Sequence, residues 1–410
     1  MEAARRGLTV TLVTDGPLGG TCLNEGCIPT KTLIHNCCEL SLDLKTAQER
    51  KAAVVSQLKS GIEGLLRNVE VVYGKASFAD SHTVRVGERT ISADKIIIST
   101  GSVSAFLPVP GAELATDSSG LLNCDEVPAR LAVIGGGVIG LEFACIYNRL
   151  GSEVTVIEYC PNILPRFDSD LAKRLKQQLS RSGISIVVGA AVNGIAECDG
   201  GQLEVNYVLK DKENSVTADK VLMAVGRRPN VDSLNLSDIG VEYDRRGIKV
   251  DSAMRTSAPD IYAVGDVTGG YMLAHVASAQ GLRALNDITG ISDSIDFGCV
   301  PAVVFTNPEL ATVGLSEEDC KAKGITCTVH KSFYRANGKA VSAGETEGLC
   351  KILCDPDGRI LGCHIMGAGA STIIAEAAAL IALGADMEKA RWIIHAHPTL
   401  SEVLMNALRS

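Results

Sequence analysis

Apolar positions in this chain cluster into short unbroken runs separated by glycine and polar residues, the pattern of strands buried on both faces. The clearest unit starts where Leu131-Ala132-Val133-Ile134 runs into Gly135-Gly136-Gly137-Val138-Ile139-Gly140. A helical stretch to Leu150 and a second apolar run, Val154-Thr155-Val156-Ile157, complete a strand–helix–strand unit that ends on Glu158. Comparable runs occur at Leu8-Thr9-Val10-Thr11-Leu12-Val13, at Ile96-Ile97-Ile98 before Ser99-Thr100-Gly101, and at Ile261-Tyr262-Ala263-Val264 before Gly265-Asp266. A helical stretch from Leu273 through Asn286 follows the last of these. Near the C-terminus, strand-like runs such as Lys351-Ile352-Leu353 alternate with one long helix near Ala375 to Gly384. The longest apolar segment, Ile373 to Leu383, is interrupted by Glu376 and is shorter than the roughly 18 residues a membrane span needs, so it reads as a buried helix. No membrane association is expected.

Composition narrows the class. At 410 residues the chain is too long for one ordinary core, and roughly 150 residues per domain implies two to four domains. With 46% hydrophobic and 21% charged residues and only 13 prolines, it buries enough apolar surface to exclude a disordered or fibrous chain. The formal charge of -9 offers no electrostatic footprint for nucleic acid or an anionic membrane face, which points to small molecules or another protein as partners. Fourteen cysteines are scattered without a regular framework and read mostly as reduced core thiols, with no role for Cys37 and Cys38. Glu2 and the short basic Ala3-Ala4-Arg5-Arg6-Gly7 segment lead directly into a strand, unlike a signal or transit peptide.

Three constellations carry candidate chemistry. The first is the unit at 131–158, a complete dinucleotide fingerprint. Gly135, Gly137 and Gly140 permit the tight turn, the approach of a pyrophosphate and close helix–strand contact, while the helix N-terminus offers free amides to the phosphates. Glu158, about 20 residues further on, can accept from both ribose hydroxyls but repels a 2′-phosphate, so NAD is favoured over NADP. The second is the pair Cys22 and Cys27, which can be a redox disulfide or two inert thiols; zinc lacks the further ligands. Residues five apart in an ideal helix have Cα atoms roughly 8 to 9 Å apart, beyond bridging range, so the segment must leave helical geometry, and Gly26 and Pro29 give it that freedom. The third is His397 with Glu402, the composition of an imidazole oriented by a carboxylate. A helix start after Pro398, or a metal fragment from His395 and His397, are the bland alternatives.

Taken together the motifs resemble a family. Gly-Gly-Thr-Cys-Leu-Asn-Glu-Gly-Cys-Ile-Pro-Thr-Lys at 19–31, the glycine turn at 133–142, Gly-Arg-Arg-Pro-Asn at 226–230, Ala-Val-Gly-Asp-Val at 263–267, Met-Leu-Ala-His at 272–275 and His-Ala-His-Pro-Thr-Leu-Ser-Glu at 395–402 look like the pyridine nucleotide-disulfide oxidoreductases, in the family's order along nearly the whole chain. The last two motifs lean toward its dihydrolipoyl dehydrogenase branch. NADPH-using relatives place arginines after the second strand of the unit, whereas Glu158 is followed by Tyr159-Cys160-Pro161-Asn162 with no basic residue before Arg166.

The resemblance implies an α/β fold. It comprises two Rossmann-like nucleotide-binding domains, the first in parts at 1–126 and 228–297 and the second at 127–227, with an α+β dimerisation domain at 298–410. It implies FAD and NAD as cofactors, and oxidation of the dihydrolipoamide on a lipoyl domain of a 2-oxoacid dehydrogenase or glycine cleavage complex, with reduction of NAD. Cys27 matches the thiol against the flavin that gives a charge-transfer complex, and Cys22 the interchange thiol. Lys31 and Glu142 match an ion pair beside the flavin, Asp266 the acid on its ribityl chain and Asp15 the acid on its adenosine ribose. Thr100, Gly101, Gly226 and Ala274 fall in motifs that line the cofactors. His397 and Glu402 match a base pair that each subunit lends to the other's site, which implies a homodimer. No metal is implied. The expected compartment is the cytoplasm, or the mitochondrial matrix in a eukaryote.

The family opens with a strand and a first Gly-x-Gly-x-x-Gly for the flavin nucleotide's pyrophosphate, absent from this sequence. Roughly twenty residues are therefore expected to be missing, and this chain is expected to bind FAD poorly or misfold. Two alternatives stay open: a non-catalytic remnant that keeps the NAD site and dimer surface, and another NADH-dependent disulfide or metal reductase.

Overall fold

The computed structural model describes residues 1–410, apart from the side chain of Glu39. Strand β1 (Thr11–Thr14) is followed by two short helices, α1 (Gly20–Asn24) and α2 (Cys27–Leu33), a π-helical turn over Ile34–Glu39 and the long helix α3 (Leu44–Leu65). Asp43 starts α3 by accepting from the Thr46 amide, as an N-cap should. The chain then returns as β2 (Glu70–Tyr73), parallel to β1. After a small antiparallel meander at 76–92, β3 (Ile96–Ile98) and β4 (Ser102–Ser104) lead out of this domain.

The second domain holds β5 (Arg130–Ile134), helix α4 (Val138–Arg149), β6 (Glu153–Glu158), helix α5 (Ser169–Arg181), β7 (Ser185–Val188) and β8 (Lys220–Met223). The four strands form one parallel sheet in the order β7-β6-β5-β8. Strand order therefore reverses at β5, and the turn after β5 opens on the crevice where open α/β sheets bind ligands. The core strands of this sheet are almost wholly buried, because α4 and α5 pack on one face and a three-stranded antiparallel sheet over residues 190–218 packs on the other.

The chain crosses back on β9 (Arg227–Pro229), which pairs antiparallel with β4. Strand β10 (Ile261–Ala263) then pairs parallel with β3, and α6 (Ala274–Ile288) follows. In the first domain the pairs β1–β2 and β3–β10 stay separate sheets, and every residue of β1 is only half-buried. The third domain is a five-stranded antiparallel sheet of β11 (Ala302–Val304), β12 (Leu310–Gly314), β13 (Thr328–Phe333), β14 (Leu349–Cys354) and β15 (Ile360–Met366), ordered β11-β12-β15-β14-β13. Helices α7 (Ala370–Ala382) and α8 (Glu402–Arg409) cover it. Lys351, buried in β14, donates to the equally buried Asp168 at the start of α5 over 2.6 Å and so ties this sheet to the second domain.

Two expectations need correction. The segment from Ile373 to Leu383 buries only one face: Ile373, Ile374 and Ala377 pack on the sheet, while Leu383 is 84% exposed. Its apolar outer face lies on the surface of the third domain, which is why hydropathy alone suggested full burial. The cysteines are also less internal than expected, with six buried and eight partly exposed. Among the described residues no helix is long and apolar enough to cross a membrane.

Candidate active site

The Cys22–Cys27 segment does leave helical geometry. Helix α1 stops at Asn24 and α2 restarts at Cys27, with Gly26 between them. A Cβ on Gly26 would lie 2.9 Å from the Thr21 carbonyl oxygen and 3.4 Å from the Cys22 Cα, so only glycine lets the two helix ends come this close. Pro29 sits in the first turn of α2, where its missing N–H costs nothing. The break brings the two thiols together. The neighbouring Cys27 pushes Cys22 far above the ordinary thiol range, while Cys22 and the Lys31 charge lower Cys27 to about 6 despite its burial. At neutral pH the reduced pair is one thiol and one thiolate, and the thiolate is the reactive form.

Lys31 lies one turn beyond Cys27 on α2, hence on the same face. Its ammonium is 2.8 and 3.0 Å from the two carboxylate oxygens of Glu142, which is 2% exposed on α4. The third domain reaches this pair as well: the Phe305 amide donates to Glu142 Oε1 over 3.0 Å, and the Phe305 ring centroid is 4.7 Å from the Lys31 nitrogen. All three domains thus meet at one carboxylate.

At the crossover ribbon, Ser102 on β4 donates to Asp266 over 2.6 Å, and Arg227 on β9 holds Ser102 through its hydroxyl and carbonyl, both at 2.7 Å. Thr100 donates to the Asn230 carbonyl over 2.6 Å. Gly101 and Gly226 flank the ribbon, and a Cβ on either would meet no atom within 4 Å, which leaves open space there. Ala274 begins α6, and Asp15 is exposed just beyond β1. The groups that would face a flavin ring and its ribityl chain therefore fit that cofactor.

The second domain fits a dinucleotide. Gly135 has φ +112° and a Cβ there would strike the Ala224 carbonyl at 2.3 Å, so this turn accepts only glycine. Above Gly137, at the N-terminus of α4, nothing lies within 4 Å of such an atom, which leaves room for phosphate. Gly140 packs its helix against the Gly135 carbonyl, where a Cβ would come within 2.0 Å. Glu158, buried at the end of β6, accepts from the Gly136 amide over 2.5 Å and the Cys160 amide over 2.6 Å, which fixes its carboxylate beside the turn.

His397 and Glu402 stand apart from the thiols. Glu402 Oε1 is 3.0 Å from His397 Nδ1, and Oε2 accepts from the Thr399 amide over 2.9 Å. That amide and the imidazole hold the carboxyl below its usual range. An ionised carboxylate only accepts, so the ring proton sits on Nδ1 and Nε2 is left as the base. The imidazole is 77% exposed, and among the described residues no hydrogen bond joins it to Cys22 or Cys27. Leu383, Trp392 and Ile394 of the same domain are exposed as well. His395 instead spends its ring nitrogens on Glu376, at 2.9 Å, and the Ile393 carbonyl, at 3.2 Å.

Sequence reasoning did not single out Phe305, Ser102 or Glu376. Arg227 lay inside a quoted motif, but which of its two arginines reaches Ser102 depends on strand register. Phe305 carried no local signal, because its partner Glu142 is 163 residues away.

Residues 1–281 match the family described as pyridine nucleotide-disulphide oxidoreductase, and residues 300–408 match its dimerisation domain. Over 99% of its length the chain is 40% identical to a dihydrolipoyl dehydrogenase of Geobacillus stearothermophilus, spanning 92% of that protein. A dihydrolipoyl dehydrogenase of Haloarcula marismortui is 38% identical over the whole chain and 93% of its own. Among solved structures, the HOCl-induced flavoprotein disulfide reductase RclA from Escherichia coli superposes with a TM-score of 0.91 at 31% identity, covering all of this chain and 94% of that one. LpdA from Mycobacterium tuberculosis superposes with a TM-score of 0.91 at 26% identity.

Proposed function

The chain belongs to the pyridine nucleotide-disulfide oxidoreductase family, with FAD and NAD the cofactors of its dihydrolipoyl dehydrogenase relatives, and from that premise we propose that it oxidises dihydrolipoamide on a lipoyl domain and passes the electrons to NAD. The observation that carries this reading is the thiol pair itself: two neighbouring cysteines, one of them lowered to about 6, beside an ammonium ion-paired to a buried carboxylate.

When the pair is oxidised, a substrate thiolate attacks the Cys22 sulfur, breaks the Cys22–Cys27 bond and releases Cys27 as thiolate. The second substrate thiol then displaces Cys22, leaving a substrate disulfide and a reduced enzyme pair. Two electrons have moved to the protein. One proton ends on Cys22, and His397 of a second copy takes up the other through Nε2, with Glu402 stabilising the imidazolium. Lys31 stabilises the Cys27 thiolate that the first step expels. Bound flavin supplies the two-electron passage from dithiol to nicotinamide that no side chain provides. Lys31, Glu142 and Asp266 would hold its ring and ribityl end, while Gly135, Gly137, Gly140 and Glu158 would hold NAD. Because His397 faces outward in its own chain, the active unit in this reading is a homodimer formed through the dimerisation domain.

The deciding experiment compares NAD reduction by dihydrolipoamide with NADH-dependent reduction of glutathione disulfide and mercuric ion, using FAD-supplemented protein. Dihydrolipoamide turnover at least tenfold above the other two supports the proposal. A preference for another disulfide or for the metal would place the chain among the family's reductases instead.

A further inference from the structure

We propose that Phe305 is a positioning residue for the thiol pair: its ring and its backbone N–H, both delivered by the third domain, hold the Lys31 ammonium and the Glu142 carboxylate in one arrangement and so direct the Lys31 charge at Cys27. The proposal rests on the reading of Cys22 and Cys27 as the redox pair.

Three observations support it. The Phe305 N–H donates to the same Glu142 oxygen that lies 3.0 Å from Lys31, so the amide and the ammonium converge on one acceptor. The ring centroid is 4.7 Å from the Lys31 nitrogen, within cation–π range, where the negative face of the ring favours the ammonium. The Lys31 side chain retains 31% exposure, so solvent still reaches part of it, and the Phe305 ring occupies one flank that water would otherwise fill. Covering that flank lowers the local dielectric and strengthens the field of Lys31 at Cys27.

The groups acting on Cys27 are Cys22 from α1, Lys31 from its own helix and Glu142 from α4. Cys22 and Lys31 lower its pKa, whereas Glu142 raises it. Glu25, between the two cysteines, accepts from Ser119, and Lys51 on α3 donates to the Leu122 carbonyl. Weakening Lys31 therefore leaves the Glu142 charge less opposed, and the Cys27 pKa must rise.

The test needs no bound cofactor. The reduced full-length protein is alkylated with iodoacetamide from about pH 5 to about pH 9, and Cys22 and Cys27 are followed separately by peptide mass spectrometry. In the unaltered protein Cys27 is expected to react with a midpoint of about 6, and Cys22 to stay unreactive in this window. Phe305→Leu is expected to raise the Cys27 midpoint by about half a unit, roughly a threefold loss of thiolate below the midpoint. Phe305→Tyr, which keeps the ring, should restore it. In Lys31→Met, where the charge is gone, adding Phe305→Leu should produce no further shift. Phe305→Met replaces the leucine variant if circular dichroism shows that variant unfolded. A Leu or Met profile that superimposes on the unaltered one, or an equal shift in the Lys31→Met background, would overturn the role of Phe305. An ordinary thiol midpoint for Cys27 in the unaltered protein would instead sink the redox-pair reading, and this proposal with it.

Discussion

The thiol pair and the imidazole–carboxylate pair differ in how the fold prepares them. Cys27, Lys31 and Glu142 are assembled inside one chain, with Glu142 almost fully buried and three domains contributing contacts. His397 and Glu402 are aligned as tightly, at 3.0 Å, yet the imidazole projects into solvent from the dimerisation domain. A charge that must lower a thiol pKa works best in a low-dielectric setting, and burial provides that. A base that must meet a substrate bound by another copy has to face outward until that copy arrives. In the proposed reaction, one subunit therefore completes the electron-transfer half of the site and leaves the proton-transfer half for a second copy.

The comparison can be broken most sharply at the thiols. Cys22→Ser or Cys27→Ser should lower dihydrolipoamide turnover by about a thousandfold or more, because no other pair can exchange with the substrate. Retention of a tenth of the activity in a steady-state assay would remove the pair from the reaction. His397→Gln should slow the same reaction by roughly a hundredfold to ten-thousandfold, the range for losing a positioned base. An unchanged rate would leave the exposed imidazole without a catalytic part.

Subunit exchange sharpens the contrast between the halves. Mixing the Cys27→Ser and His397→Gln proteins and allowing their subunits to redistribute should recover about a quarter of normal activity, since half the dimers are then mixed and each holds one intact site. No recovery, once mass spectrometry shows mixed dimers, would mean that both halves act within a single chain. The smallest expected effect concerns stability. A thiol whose folded pKa is depressed contributes stability that is present above its unfolded value and lost as pH falls through the folded one. For Cys27 that window runs from the ordinary value of 9.0 down to about 6. The unfolding midpoint of reduced protein, relative to the Cys27→Ser variant, should therefore rise with pH across this window. A difference that stays flat would show that Cys27 keeps its proton in the folded state.

Much of this was legible in the chain of residues. The glycine turn at 135–140, the cysteine spacing with Gly26 between, and Glu158 at the end of an apolar run are local features whose physical demands are met within a few neighbours. The strand–helix–strand unit appeared with β5, α4 and β6 within a residue or two of the expected positions. The outer face of α7 was misread because a hydrophobic helix that packs on its own sheet looks, in sequence, like one that also awaits another copy.

What sequence determined, then, were the chemical groups and the turns that each of them needs, because backbone freedom and residue chemistry are properties of short segments. Tertiary structure decided which distant groups share a field. Phe305 meets Glu142 across 163 residues, Arg227 reaches Ser102 across 125, and Lys351 finds Asp168 across 183. Such contacts arise only when distant segments fold against one another, since the Coulomb and cation–π terms that matter here act over a few ångströms of space and take no account of separation along the chain.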